Sequence, residues 1–180
     1  DLESALKYHS QALEIDKRIG YLQGEASDLG NIGLVYQDMG DLESALKYHS
    51  QALEIDKKIA YLQGEANQLG NIGLVYQDMG DLESALKYHS QALEIDKRIG
   101  YLQGEASDLG NIGAVYQAMG DLESALKYLS QAKAIFEKIG MINQAEILGK
   151  WIKEEINPTN PTAPGGIWKW IKKLISSILG

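Results

Sequence analysis

Cysteine is absent from all 180 residues, which removes disulfides and thiolate metal sites together and suits an intracellular protein. Proline is confined to Pro158, Pro161 and Pro164, so nothing before them carries a ring that breaks a helix. Tryptophan does not occur before Trp151, and Phe136 is the one phenylalanine. No stretch approaches the roughly 18 to 20 uninterrupted apolar residues that a spanning helix requires. The opening DLESALKYHS lacks the charged-then-apolar start of a secretory signal. Positive charge is also scarce, with 17 Lys and Arg against 25 Asp and Glu for a net of −8. Such a surface repels phosphate backbones, which argues against nucleic acid as a partner. What remains, 44% apolar and 23% charged, is the composition of a folded, soluble chain.

The dominant feature is repetition. Residues 1–40 recur at 41–80 with four changes, Arg18 to Lys58, Gly20 to Ala60, Ser27 to Asn67 and Asp28 to Gln68. They recur again at 81–120 with two, Leu34 to Ala114 and Asp38 to Ala118, and a fourth copy starts at Asp121 before drifting. Within a unit, Leu22, Ala26, Leu29, Ile32, Gly33, Tyr36 and Met39 fall at steps of three and four, which predicts a helix A with one buried stripe. Gly40 then stops the chain, Asp41 supplies an N-cap oxygen, and Glu43 suits the positive end of the next helix dipole. A helix B follows with Leu42, Ala45, Leu46, His49, Ala52, Leu53 and Ile59 inside. Its predicted stop is Gly20, Gly100 or Gly140, with Ala60 filling the same place once.

In LGNIGLVYQDMGDLESALKYHSQAL, the residues Gly33, Tyr36, Gly40, Asp41, Ala45 and Ala52 follow a small-and-large pattern that resembles the tetratricopeptide repeat. His49 stands where that family usually has an aromatic residue, and Lys57 replaces the proline that ends helix B in its common form. These departures, with the forty-residue period and the phrase GEAxxLGNIG, make the chain similar to the extended branch found in cell-polarity and signalling adaptors. The resemblance implies an all-α, right-handed solenoid of stacked antiparallel helix pairs over residues 1–156. The expected order is a lone helix B at 1–20, three A–B units to 140 and a capping helix over 143–156. Gly33, Ala45 and Ala52 are expected to let helices A and B approach to roughly 8–10 Å between axes. A B helix at one end and an A-like cap at the other read as a piece of a longer array, able to associate head to tail.

No catalytic constellation emerges, and neither enzyme chemistry nor a cofactor is expected. His9, His49 and His89 recur once per repeat, on the order of 10 Å apart, too far for bonds of about 2 Å to one metal. By resemblance, the ligand-binding wall is helix A. Its exposed positions match Ser27, Asn31, Leu34, Gln37 and Asp38, then Asn67, Asn71, Leu74, Gln77 and Asp78, then Ser107, Asn111, Ala114, Gln117 and Ala118. Asparagine is a poor helix former, yet its amide both donates and accepts, so Asn31, Asn71 and Asn111 make a ladder for an extended peptide backbone. A surface asparagine copied by duplication is the alternative. None of these positions is basic, so the ligand is expected to be a neutral or basic protein or peptide.

The C-terminal stretch is unlike the rest. NPTNPTAPGG over 157–166 has proline at every third residue and a Gly-Gly joint, which predicts a spacer. At 100° per residue, Ile167, Trp168, Trp170, Ile171, Leu174, Ile175, Ile178 and Leu179 fall in one half-circle. Lys169, Lys172, Lys173, Ser176 and Ser177 fall in the other. The three lysines make this tail +3 and leave residues 1–166 with 14 basic against 25 acidic side chains, or −11. The tail resembles short cationic membrane-active peptides of the antimicrobial kind. It suits either a headgroup layer, making a cytoplasmic chain peripheral to a membrane, or an acidic solenoid groove of its own or a neighbouring chain. Near-identical repeats, a spacer and an unrelated peptide also read as an engineered fusion carrying a guest segment.

Overall fold

The computed structural model describes residues 1–156; the spacer and tail expectations lie outside the described residues. The described residues divide into two compact units, one ending at Ile99 and the other beginning at Gly100. The first holds α1 (Leu2–Ile19), α2 (Leu22–Asp38), α3 (Leu42–Lys58), α4 (Leu62–Met79) and α5 (Leu82–Ile99). The second holds α6 (Leu102–Ala118), α7 (Leu122–Lys138) and α8 (Ile142–Ile156). Among the described residues there is no strand, and the architecture is the all-α, paired-helix repeat of solenoid type.

Turn chemistry fixes the pairing. Asp41 caps α3, accepting from the Ser44 backbone N–H at 3.1 Å and the Ser44 hydroxyl at 2.7 Å. The same pair of bonds recurs at Asp81 with Ser84 and at Asp121 with Ser124. These bonds favour the ionised cap and hold the Asp41, Asp81 and Asp121 carboxyls below their usual range. Gly40, Gly80 and Gly120 end the A helices with φ of 80°, 80° and 84°, and Gly20, Gly100 and Gly140 end the B helices in the same left-handed region. Ala60 adopts φ 56° at the equivalent stop, where a Cβ costs roughly 1 kcal/mol. Because the connections are so short, successive helices must run antiparallel and pack side by side.

In the first unit each helix packs on the next, and α2 additionally packs on α4. The B helices α1, α3 and α5 do not approach one another to that extent. The A helices thus crowd together on the inner side of this unit. Leu53, Ala66, Leu69, Ile72, Ala92 and Ile95 form a buried cluster, with Leu46, Leu62, Tyr76 and Tyr88 packed against it. A fully buried Leu or Ile in such a cluster contributes about 1.5–3 kcal/mol. In the second unit α7 packs on α6 and on α8, with Leu129 and Phe136 fully buried and Trp151 buried in α8.

One stripe expectation needs correction. Met39, expected inside, is 40% exposed, as are Met79 and Met119, each at the end of its helix. Val35 is buried instead, and so is Asp56 of helix B, a polar residue that the apolar periodicity could not flag. Asp56 lies against the first turn of α4: a Cβ at Gly64 would stand 2.6 Å from its carboxylate. Asp16 makes the same demand on Gly24. The glycine of GEAxxLGNIG, unfavourable in a helix by itself, is therefore a seat for an aspartate.

Candidate ligand-binding face

Helices α2, α4 and α6 carry no lysine or arginine, whereas α2 has Glu25, Asp28 and Asp38, α4 has Glu65 and Asp78, and α6 has Glu105 and Asp108. In the first unit, Ser27, Leu34, Asp38 and Asn67 are exposed, and Asn31, Gln37, Asn71, Gln77 and Asp78 are half-buried. The packing of α2 on α4 brings Gln37 to Asp78, whose Oδ2 accepts from Gln37 Nε2 at 2.7 Å. Two of the expected site residues thereby position one another. Leu74 is 7% exposed and does not line an open face, in contrast to Leu34 at 36%. The two leucines occupy equivalent places, so packing around them and not residue type sets their exposure.

In the second unit, Ser107 is half-buried and its hydroxyl donates back to the Gln103 carbonyl at 3.0 Å. Gln117 is half-buried and Ala118 exposed. Asn111 and Ala114 are 3% and 4% exposed, which corrects the expectation that both are exposed positions. Of the three equivalent asparagines, Asn31 and Asn71 therefore reach the surface and Asn111 does not.

Beneath the face lies a layer that the sequence left half-read. Gly33 of α2 sits over the His49 ring of α3, where a Cβ would stand 2.8 Å from ring atoms. Gly73 of α4 sits over His89 of α5 at 2.7 Å in the same sense. Both rings are fully buried. His49 Nδ1–H donates to Gln68 Oε1 at 3.0 Å, and His89 Nε2–H donates to Gln77 Oε1 at 3.0 Å. Burial without an anionic partner disfavours the imidazolium, lowering His49 to about 4 and His89 to about 3. Asp56 is driven the other way, to about 6, by its own burial and by the nearby Glu65.

Gln68 is the residue whose role was missed. It sits between α2 and α3: its amide occupies the space a Cβ at Gly30 would need, 2.7 Å away. The signal was present as one of the four changes between the first two repeats, Asp28 to Gln68. In the first repeat Asp28 instead meets His9, Oδ1 to Nδ1 at 3.4 Å. Among the described residues no group of three or more His, Asp or Glu is placed to hold a metal ion. No helix among them is long and apolar enough to cross a membrane. The expected contact residues Ile167, Trp168, Lys169, Trp170, Ile171, Lys172, Lys173, Leu174, Ile175, Ile178 and Leu179 lie outside the described residues.

The Tetratricopeptide repeat family model matches residues 1–58 and 65–138. The chain belongs to the tetratricopeptide repeat family. Its structure is similar to that of Aspartyl phosphate phosphatase F from Bacillus subtilis, with TM-score 0.80 and 20% identity over 85% of this chain and 40% of that one. A Rap protein complexed with Competence and Sporulation Factor gives TM-score 0.68 and 22% identity over 82% of this chain and 47% of that one. The tetratricopeptide domain of Arabidopsis FLU gives 0.61 and 26% over 65% of this chain and 98% of the domain. The chain thus spans less than half the length of the phosphatase F and Rap protein structures, and at their identity the likeness is one of fold. No curated protein matches the chain significantly.

Proposed function

We propose that this tetratricopeptide chain is a scaffold that binds protein segments and that its ligand is an extended peptide, neutral or basic. The observation that supports this most is the inner face of the first unit. There Asn31 and Asn71 reach the surface on adjacent A helices, flanked by Asp38 and Asp78, on helices without a single cation. Primary amides pair with backbone N–H and C=O groups irrespective of sequence, and the carboxylates attract cationic side chains. The same face has no cation to pair with a carboxylate terminus. The role is binding, not catalysis, with no cofactor.

Three pools of extended ten-residue peptides with net charges of +2, 0 and −2 test this by fluorescence anisotropy. The +2 pool should bind most tightly and lose affinity with salt, and Asn31→Ala with Asn71→Ala together should weaken it about tenfold. Equal binding of the −2 pool, or no response to the double change, sinks the reading.

A second reading concerns the tail alone. The complete segregation of its apolar and lysine faces supports contact with an anionic membrane or with an acidic groove, and an engineered origin as a guest peptide fits the same facts. A blue shift of tryptophan emission on anionic vesicles favours the membrane. No shift, together with salt-sensitive self-association, favours the groove.

A further inference from the structure

Three helical hairpins each carry a tyrosine stack. The Tyr36 ring of α2 and the Tyr48 ring of α3 lie 5.2 Å apart between centroids and within 8° of parallel. Tyr76 of α4 and Tyr88 of α5 stand at 5.3 Å and 13°, and Tyr116 of α6 and Tyr128 of α7 at 5.4 Å and 11°. The third pair keeps this geometry although Leu129 replaces the neighbouring histidine and Ala114 replaces the leucine two residues before Tyr116. All six rings are half-buried, so none is sealed from solvent. Among the described residues Tyr21, Tyr61 and Tyr101, which precede the A helices, have no ring stacked on them. Burial first and the facing tyrosine second push the Tyr36 and Tyr76 phenols above their ordinary value, so both are protonated at neutral pH. A lysine ammonium 5.9, 5.9 or 5.8 Å from the partner ring opposes positive charge there. A ring that is oxidised must therefore shed its phenolic proton with its electron.

We propose that these three stacks are sites of oxidative cross-linking, at which a haem peroxidase with hydrogen peroxide joins the two rings through the carbons ortho to their hydroxyls. Each phenol gives up one electron and its phenolic proton. The two phenoxyl radicals then form one carbon–carbon bond. The hydrogen on each bonded ring carbon moves to the oxygen beside it, which restores both aromatic rings and both hydroxyls. Hydrogen peroxide takes up the two electrons and two protons and leaves as two waters. The product is dityrosine, lighter than the original pair by two hydrogens. Holding the rings face to face favours coupling within a hairpin over encounter between chains. The bond joins residues twelve apart, Tyr36 to Tyr48 and their counterparts, and gives a chain without cysteine a covalent clamp between helix A and helix B. Such a link restricts the unfolded chain as a disulfide does.

The full chain is treated with a haem peroxidase and hydrogen peroxide, digested with trypsin and read by mass spectrometry. Cleavage after Arg98, Lys127 and Lys133 puts Tyr101 and Tyr116 in residues 99–127 and Tyr128 in YLSQAK, which occurs once. Tyr48 and Tyr88 fall in identical YHSQALEIDK segments, so the third pair gives the unambiguous product. Residues 99–127 joined to YLSQAK, with two hydrogens lost and the bond at Tyr116, are expected. Oxidised methionine gains oxygen instead, so the masses separate. Tyr116→Phe keeps the ring, should melt with the parent, and should abolish this product while 59–87 still joins YHSQALEIDK. Tyr101→Phe should change neither product. In a mixture of ¹⁴N and ¹⁵N chains each joined pair should carry one isotope, and the purified coupled chain should unfold at higher urea. Five outcomes overturn the proposal. One is no joined segment while free tyrosine in the same tube couples, and another is a bond mainly at Tyr101. A third is a product that survives Tyr116→Phe. The fourth is joined pairs that mostly mix isotopes, which makes the coupling one between chains. The last is an unchanged urea midpoint, which shows a bond that clamps nothing.

Discussion

Helices α1 and α5 have one sequence and two environments. Each is a continuous eighteen-residue helix, and each ends in a glycine at positive φ. In α5 the imidazole is sealed under Gly73, whereas in α1 the ring meets Asp28 at the edge of solvent. Identical residues thus give the same local structure but not the same burial, because a helix closes its own backbone hydrogen bonds while its side chains wait for neighbours. The second unit solves the same packing problem with an apolar residue: Leu129 of α7 replaces the histidine, and a Cβ at Gly113 would stand 2.6 Å from it. The glycine is therefore required by close approach and not by the imidazole.

Breaking the covered copy should have the largest effect. Gly73→Leu drives a branched side chain into the His89 ring and should cost about 3 kcal/mol, the upper range for overpacking a core. Urea unfolding of the full chain measures it, and an unchanged midpoint would mean that α4 and α5 are not locked as described.

Acid should separate the buried ring from its apolar replacement. His89, at about 3 in the folded chain against about 6.5 when unfolded, is protonated mainly in the unfolded state. Its contribution is intact above about pH 6.5 and is lost progressively as pH falls towards 3. By pH 4 the loss is on the order of 3 kcal/mol, and His49 adds to it, while protonation of Asp56 below about pH 6 works in the opposite direction. His89→Leu, which repeats the solution found at Leu129, should stay within about 1 kcal/mol of the parent at pH 7 and exceed it in stability at pH 4. Parallel pH profiles for the two chains would contradict a neutral buried imidazole.

The smallest contrast is aromatic. Tyr88→Ala should cost about 1–2 kcal/mol through the lost stack on Tyr76, whereas Tyr8→Ala should cost less than about 0.5 kcal/mol. Equal losses in denaturant melts would show that the stack contributes nothing beyond the exposed ring.

Much of this was legible without coordinates. Helix periods, Asp41 as cap and Gly40 as stop are local, and each needs only a few adjacent residues to be right. The Gly33 packing role was legible too, though not that its neighbour is an imidazole. The candidate face was less so. Leu34 and Leu74 are the same residue at equivalent places, yet one is exposed and the other buried, and Asn111 is buried where Asn31 and Asn71 reach the surface. Gln68 stood in plain view as a substitution, but its partners lie on two other helices.

The sequence alone determined the helices, their ends, the spacing of the repeats and the acidic balance, because capping, backbone hydrogen bonding and net charge act within a few residues or over the whole chain without regard to neighbours. Only the tertiary structure decided which copy of a repeated residue is dry and that His49 and His89 are neutral rings. Burial and desolvation depend on what packs against a side chain, and a sequence that repeats itself cannot say which of its copies has a neighbour.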